Sequence, residues 1–374
     1  MGNITAPVAN QSREPEDLTH AEKGQKTITP ELSEVLSDIC PTDANIANII
    51  VYPKTARIVV LGDIHGDIEY LQRLLYTAKV INREGKWIGK TTVVVQTGDQ
   101  VDRCRNTKQC HVKGVIPVDE DDDDMEVMDY LDGLQRQAIV YGGKVISLFG
   151  NHEINQILGK MNMVSWKSLK RFGYDLKKRR VAFKPGGPEA IRMACTRLSF
   201  VVIGNFFFGH SGLRKGTLEK LDIRNRDDLV GFDTKLRMWM AGKQKLDDQE
   251  ATLDAAFYDR KPGQHKVGAA FCANEIEPCL NVLNVNGIVV GHTVTENGTI
   301  ESSCGRKVWK VDLGGSKSFA QFFDQNQPVP AVMEILNDRT INVLTEAPSV
   351  SAMFVTNKNK NKNKNREKKN QNQS

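Results

Sequence analysis

Arg57-Ile-Val-Val-Leu-Gly-Asp-Ile-His-Gly66 decides how the rest of the chain reads. A short apolar, β-branched run ends in a glycine, an aspartate and a histidine two residues apart, and a second glycine. A continuous run of this kind fits a strand buried on both faces. Its polar end then falls at the carboxyl edge of a sheet, where open α/β folds place their chemistry. Ile68, Leu71, Leu74, Leu75 and Ala78 follow as the stripe of an amphipathic helix, so the segment opens a βαβ unit.

The pattern recurs twice. Thr92-Val-Val-Val-Gln96 leads into Gly98-Asp-Gln-Val-Asp-Arg103, and Lys144-Val-Ile-Ser-Leu-Phe149 leads into Gly150-Asn-His-Glu153. Farther on, Leu198 to His210 reads as a hairpin whose second strand ends in histidine, and Gly287-Ile-Val-Val-Gly-His292 ends the same way. Val308 to Leu313 and the pair around Val332 to Leu336 and Thr340 to Leu344 suggest further strands, so the second half supplies another sheet.

These strand ends carry a consistent chemistry. Asp63 and His65, two apart in an extended segment, can face one cation. Asp99 has two carboxylate oxygens and can bridge two cations ~3.5–4 Å apart. Asn151 offers a neutral amide oxygen, and His210 and His292 offer imidazoles beside small residues, which suits a crowded centre. His152 is placed to protonate a leaving oxygen, Asp102 to orient it, and Arg103 to hold phosphate oxygens in a planar fork. Any one of these residues alone is commonplace on a surface or in a core; the ordered set predicts a phosphoester hydrolase working with two metal ions. His20, His111 and His265 have no such context.

The full chain has 374 residues, 40% of them apolar, enough for one large catalytic domain. The expected division is a flexible arm over 1–50 with one helical candidate at Pro30 to Ile39, a catalytic domain over 51–350, and a disordered Asn/Lys-rich tail over 351–374. The net charge of +5 belongs to that tail, whose excess of six positive charges leaves the remainder near −1; no specific nucleic-acid groove is expected. The acidic run Asp119 to Asp124 lacks the glycine and terminal Glu of a calcium loop and reads as a solvated insertion.

Seven cysteines without a C-x-x-C pair read as reduced thiols in a cytoplasmic protein. No charged-then-apolar leader and no spanning segment of ~20 apolar residues is expected. The opening Met1-Gly2-Asn-Ile-Thr-Ala6 begins like a myristoylation signal. An acylated Gly2 together with the basic tail would give two peripheral membrane anchors.

From about Ala56 to about Phe319 the motifs resemble the calcineurin-like metallophosphoesterases, more closely the phosphoprotein phosphatase superfamily, and best its Shewanella-like branch. The resemblance rests on GDIHG followed by Asp67, GDQVDR after an apolar strand, the helix Leu131 to Ala138 before Gly142-Gly-Lys-Val, GNHE, VVGHT, and Val311-Asp-Leu-Gly-Gly-Ser316. It implies an α/β fold, a four-layer sandwich of two mixed β-sheets packed face to face and flanked by helices. It implies Asp63, His65 and His292 at one metal and Asn151 and His210 at the other, bridged by Asp99, the ions being divalent or trivalent Mn, Fe or Zn. It further implies His152 as the acid with Asp102 as its partner, and phosphate held by Arg103 and by Arg260 of Phe257-Tyr-Asp-Arg260. Cys104 stands where many relatives have glycine, which would add redox sensitivity if its thiolate were stabilised. The expected substrate is a phosphorylated protein (Ser/Thr or Tyr). The alternatives are a small phosphoester such as a nucleotide or dinucleoside polyphosphate, or a scaffold that has lost turnover.

Overall fold

A computed structural model describes residues 25–41, 46–105, 109–117, 121–322 and 327–350. In chain order the strands are β1 (Lys26–Thr27), β2 (Ile49–Tyr52), β3 (Arg57–Leu61), β4 (Val93–Gln96), β5 (Lys144–Leu148), β6 (Arg197–Leu198), β7 (Phe200–Ile203), β8 (Phe206–Gly209), β9 (Gly287–Val290), β10 (Glu301–Ser303), β11 (Val308–Lys310), β12 (Ala331–Leu336) and β13 (Thr340–Thr345). They form a six-stranded sheet in the order β13-β12-β3-β4-β5-β6 and a seven-stranded sheet in the order β1-β2-β7-β8-β9-β11-β10. Both are mixed: β3 to β6 run parallel beside antiparallel β12 and β13, while β7 and β8 pair antiparallel and β8, β9 and β11 run parallel.

The strand alternation explains the layering. Ile58, Val60, Val93, Val95, Ile146 and Leu148 join Val201, Phe207, Ile288 and Val289 in the core between the sheets. Their neighbours Val59, Leu61, Val94 and Val145 face the other way, into a second core with Leu71, Leu74, Leu75, Leu131 and Leu134 from the helices Ile68–Thr77 and Asp124–Val140. Strands covered on both faces must be apolar at every position. The expected face-to-face architecture with flanking helices is therefore observed.

Three expectations need correction. The predicted arm joins the fold from residue 25: the helix Pro30–Ile39 buries Leu32 and Leu36 completely, each side chain contributing roughly 1.5–3 kcal/mol of burial. Residues 1–24 and the tail 351–374, and with them Gly2, lie outside the described residues.

The described part of the acidic run, from residue 121, is not the solvated insertion expected. Asp121, Asp123 and Asp124 are buried: Asp121 accepts from the Lys167 amide, Asp123 caps the helix that follows, and Asp124 takes both terminal nitrogens of the fully buried Arg179 at 3.0 Å. The partners of Asp121 and Asp124 come from 46 and 55 residues downstream, beyond the reach of a local reading.

Six of the seven cysteines are paired, as Cys40–Cys195, Cys104–Cys110 and Cys272–Cys304, leaving Cys279 buried and free. Among the described residues no helix is long and apolar enough to cross a membrane.

Candidate active site

The loops leaving the carboxyl ends of β3, β4 and β5 meet those leaving β8 and β9, so both sheets contribute to one polar centre. Backbone strain is concentrated there. His65, Asp99, Asp102 and His292 all have left-handed backbones, with φ of 46°, 54°, 68° and 65°. Such conformations persist in non-glycine residues only where the surroundings impose them, and they cluster at functional sites. Space is equally tight: a Cβ on Gly150 would lie 2.2 Å from Asp99 Oδ1, and one on Gly291 would lie 2.4 Å from Asp63 Oδ1. The glycine before each motif residue lets the carboxylates approach the neighbouring loop.

Asp99 is central. Its Oδ2 lies 3.7 Å from His65 Nε2, and its Oδ1 lies 3.4 Å from His210 Nε2. Asp63 Oδ2 is 3.8 Å from His65 Nε2. His65 and His210 each direct Nδ1 to a backbone carbonyl, that of Val101 at 3.1 Å and that of Thr97 at 3.0 Å. With Nδ1 as the donor, the His210 Nε2 lone pair faces the centre, the orientation expected of a metal-binding histidine; the His65 ring is also met by the Arg105 guanidinium. Asn151 Oδ1 lies 2.8 Å from His210 Nε2, and His292 Nδ1 lies 3.1 Å from the same atom. His292 therefore groups with Asn151 and His210, not with Asp63 and His65 as the resemblance implied, because β8 and β9 are adjacent parallel strands that end side by side.

The electrostatics ask for cations. Burial, reinforced by like charge from Asp312 and Asp99, pushes the Asp63 carboxyl well above the usual carboxylate range, and burial raises Asp312 as well. Burial would also raise Asp99, but His152, His210 and His65 outweigh it and hold its carboxylate well below that range. Burial and the charge of Arg105 lower His65; burial and His210 lower His292, whose Nε2 has no partner among the described residues. Burial would lower His210 too, but Asp99 outweighs it and raises it. Crowded buried carboxylates, the lowered imidazoles of His65 and His292 and one orphaned ring nitrogen fit a metal site.

His152 is tied to both parts of this centre. Its amide donates to Asp99 Oδ1 at 2.9 Å, its Nδ1 lies 2.7 Å from Asp102 Oδ2, and its Nε2 lies 3.7 Å from Asp99 Oδ2. Gln156 Nε2 donates to the other Asp102 oxygen, and the Asp102 amide donates to Asp124 Oδ2. Glu153 accepts from the amides of Asp99, Gln100, Val101 and Gly150 at 2.7 to 3.2 Å.

The two expected arginines lie differently. Arg260 is on the rim and donates to the His292 carbonyl at 3.4 Å, next to Tyr258, whose hydroxyl donates to Asn155 Oδ1. Arg103 is buried beside Gly66, and its charge acts on Asp67, Asp121 and Asp122. Arg105 instead reaches the histidines. Sequence reasoning gave no role to Arg105, Glu153, Gln156 or Asp312; Glu153 and Asp312 lay within quoted motifs, which was the available signal.

The fold and this cluster define a phosphoesterase, and the chain belongs to the calcineurin-like phosphoesterase family, whose profile its residues 56–296 match. It is 25% identical over 355 residues to Shewanella-like protein phosphatase 2 of Arabidopsis thaliana, covering 82% of this chain and 83% of that one. It is 26% identical over 290 residues to Shewanella-like protein phosphatase 1 of Plasmodium berghei, covering 75% and 71%. Among solved structures, the cold-active protein-tyrosine phosphatase of a psychrophilic Shewanella species shares the fold with a TM-score of 0.56 at 20% identity, over 79% of this chain and 82% of that chain. The likeness to the Shewanella-like branch and the hydrolase reading are thus borne out, and the family implies metal ions.

Proposed function

We propose that the protein is a metal-dependent phosphomonoester hydrolase acting on phosphorylated proteins. The observation that carries this reading is the His152–Asp102 pair standing against the Asp99-centred cluster. A proton donor beside a charge-dense cation site is what cleavage of a phosphate ester requires. The relatives described as protein phosphatases support the phosphoprotein substrate.

On this reading Asp63 and His65 would hold one ion and Asn151, His210 and His292 a second, with Asp99 offering one oxygen to each. Such ions, Mn, Fe or Zn by donor chemistry, neutralise phosphoryl charge and acidify a water when bound. The chain supplies the rest. Asp102 accepts from His152 Nδ1, which fixes the ring and points Nε2 toward the centre. Protonated His152 delivers the Nε2 proton to the departing oxygen of the phosphorylated side chain, so the alcohol or phenol leaves neutral. Arg260 on the rim counters charge on the equatorial oxygens.

The test is a panel of phosphoserine, phosphothreonine and phosphotyrosine peptides against nucleotides and dinucleoside polyphosphates, with manganese added. Higher kcat/KM on phosphopeptides is expected. Faster hydrolysis of the nucleotides would replace the proposal with the small-molecule reading.

The three disulfides support an oxidising compartment over the cytoplasm expected from the sequence. Peripheral membrane association rests on Gly2 and the basic tail; equal liposome partition of the acylated protein, a Gly2→Ala variant and a tail deletion would end that idea.

A further inference from the structure

Arg105 brings together three features that are not found together at another described arginine. Its guanidinium enters the histidine cluster, with Nη1 3.0 Å from His152 Nε2 and Nη2 2.6 Å from the ring nitrogens of His65. It lies over the Phe319 ring at 4.8 Å, and that ring in turn meets His65 edge-on at 5.2 Å. Nη1 also contacts Met163 Sδ, yet no carboxylate of the described residues lies within ion-pair distance, and Nε is buried without a partner.

Arg105 is partly buried, and the contrast with three fully buried arginines is informative. Arg179 has Asp124, Arg197 has Asp132 and Arg237 has Asp233. Drawing a guanidinium even partly out of water without an anion is costly, so Arg105, set against imidazoles where Arg179, Arg197 and Arg237 have carboxylates, has its countercharge left to be supplied from outside. A planar fork stacked on an aromatic ring keeps its donors aligned for a tetrahedral oxyanion.

The backbone holds Arg105 in place. Its neighbour Cys104 is bonded to Cys110, and the Cys104 amide donates to the Met163 carbonyl at 3.0 Å. Arg103, two residues earlier, is turned toward the acidic cluster formed by Asp67, Asp121 and Asp122. The short segment after Asp102 thus sends one guanidinium into the fold and the next into the site.

We propose that Arg105 binds the phosphoryl group of the substrate, donating from its terminal nitrogens to the oxygens of the dianion next to His152. This rests on the phosphoesterase reading above and assigns that site a residue which the motifs do not. A group that binds phosphate in substrate and product alike raises KM and weakens product inhibition together when removed, with a smaller effect on kcat.

The test uses the full-length metal-loaded protein, with inorganic phosphate as probe in calorimetry, metal content by mass spectrometry, and steady-state kinetics on a phosphopeptide. Arg105→Met is expected to weaken phosphate binding and raise KM by about 10- to 100-fold, the loss typical of a hydrogen bond to a charged group. Metal content stays at the wild-type level, and Arg105→Lys recovers part of the binding. Unchanged phosphate affinity in Arg105→Met overturns the assignment, and so does loss of metal in both variants, which would make the residue a support of the ligand cluster. Failure of the wild-type protein itself to bind phosphate or cleave phosphoesters would overturn the phosphoesterase reading instead.

Discussion

His152 Nδ1 and Asp102 Oδ2 are 2.7 Å apart, and Gln156 Nε2 holds the second Asp102 oxygen at the same distance. The carboxylate is fixed on both sides, so the imidazole has one orientation available to it. Replacing His152 with Asn should keep metal content and lower turnover by ~10²–10⁴-fold, the range for one proton-transfer group. Steady-state kinetics alongside metal analysis decides this; unaltered turnover would remove His152 from the acid role.

Asp99 presents one oxygen to His65 and the other to His210. Asp99→Asn removes the negative charge between the two ligand groups, so metal content and activity should fall together. A variant that retains full metal occupancy would show that the carboxylate is not the bridge.

Asp124 and Arg179 are both fully buried, and Asp124 also receives the Asp102 amide. Arg179→Leu leaves a buried carboxylate without its partner, which typically costs ~3–5 kcal/mol. Urea unfolding should register that loss, with a fall in turnover as the Asp102 loop relaxes. Stability within experimental error of wild type would mean that Asp124 finds another partner.

Metal affinity should rise with pH. Asp63 and Asp312 have raised pKa values, so each keeps its proton at pH values where a free aspartate has lost it. Cation uptake must displace that proton, so binding releases protons and tightens as the solution becomes more alkaline. Calorimetry in two buffers of different ionisation heat measures the release. Affinity that does not change as the pH rises above the ordinary carboxylate range would contradict it.

Alkylation under non-reducing, denaturing conditions should label Cys279 alone, because the other six cysteines are paired. Cys40–Cys195 closes the largest loop, 155 residues apart in sequence. Cys195→Ala should cost about 2–4 kcal/mol, read as a lower unfolding midpoint. More than one labelled thiol would refute the pairing.

The parts of the site legible in the sequence were those carried by strand ends. Each motif follows a run that can only be a covered strand, and Asp63, Asp99, Asn151, His210 and His292 converge as that pattern requires. What stayed hidden depends on which distant elements become neighbours. His292 meets His210 because β8 and β9 adjoin, and Asp121 and Asp124 are buried because Lys167 and Arg179 fold over them. A run of aspartates looks hydrophilic until its cations are known. The cysteine pairs are likewise set by topology, since no spacing joins Cys40 to Cys195. Arg105 was invisible for the opposite reason: an arginine two residues after a motif arginine carries no local sign of facing the other way.

One carboxylate reaches the amides of Asp99, Gln100, Val101 and Gly150. Glu153 is therefore a clasp that fastens two loops at once, the one bearing Asp99 and the one bearing His152. Loosening it would not trim a single contact but would let Asp99 and His152 drift together, so the two loops share a common hinge pin far less conspicuous than the histidine beside it.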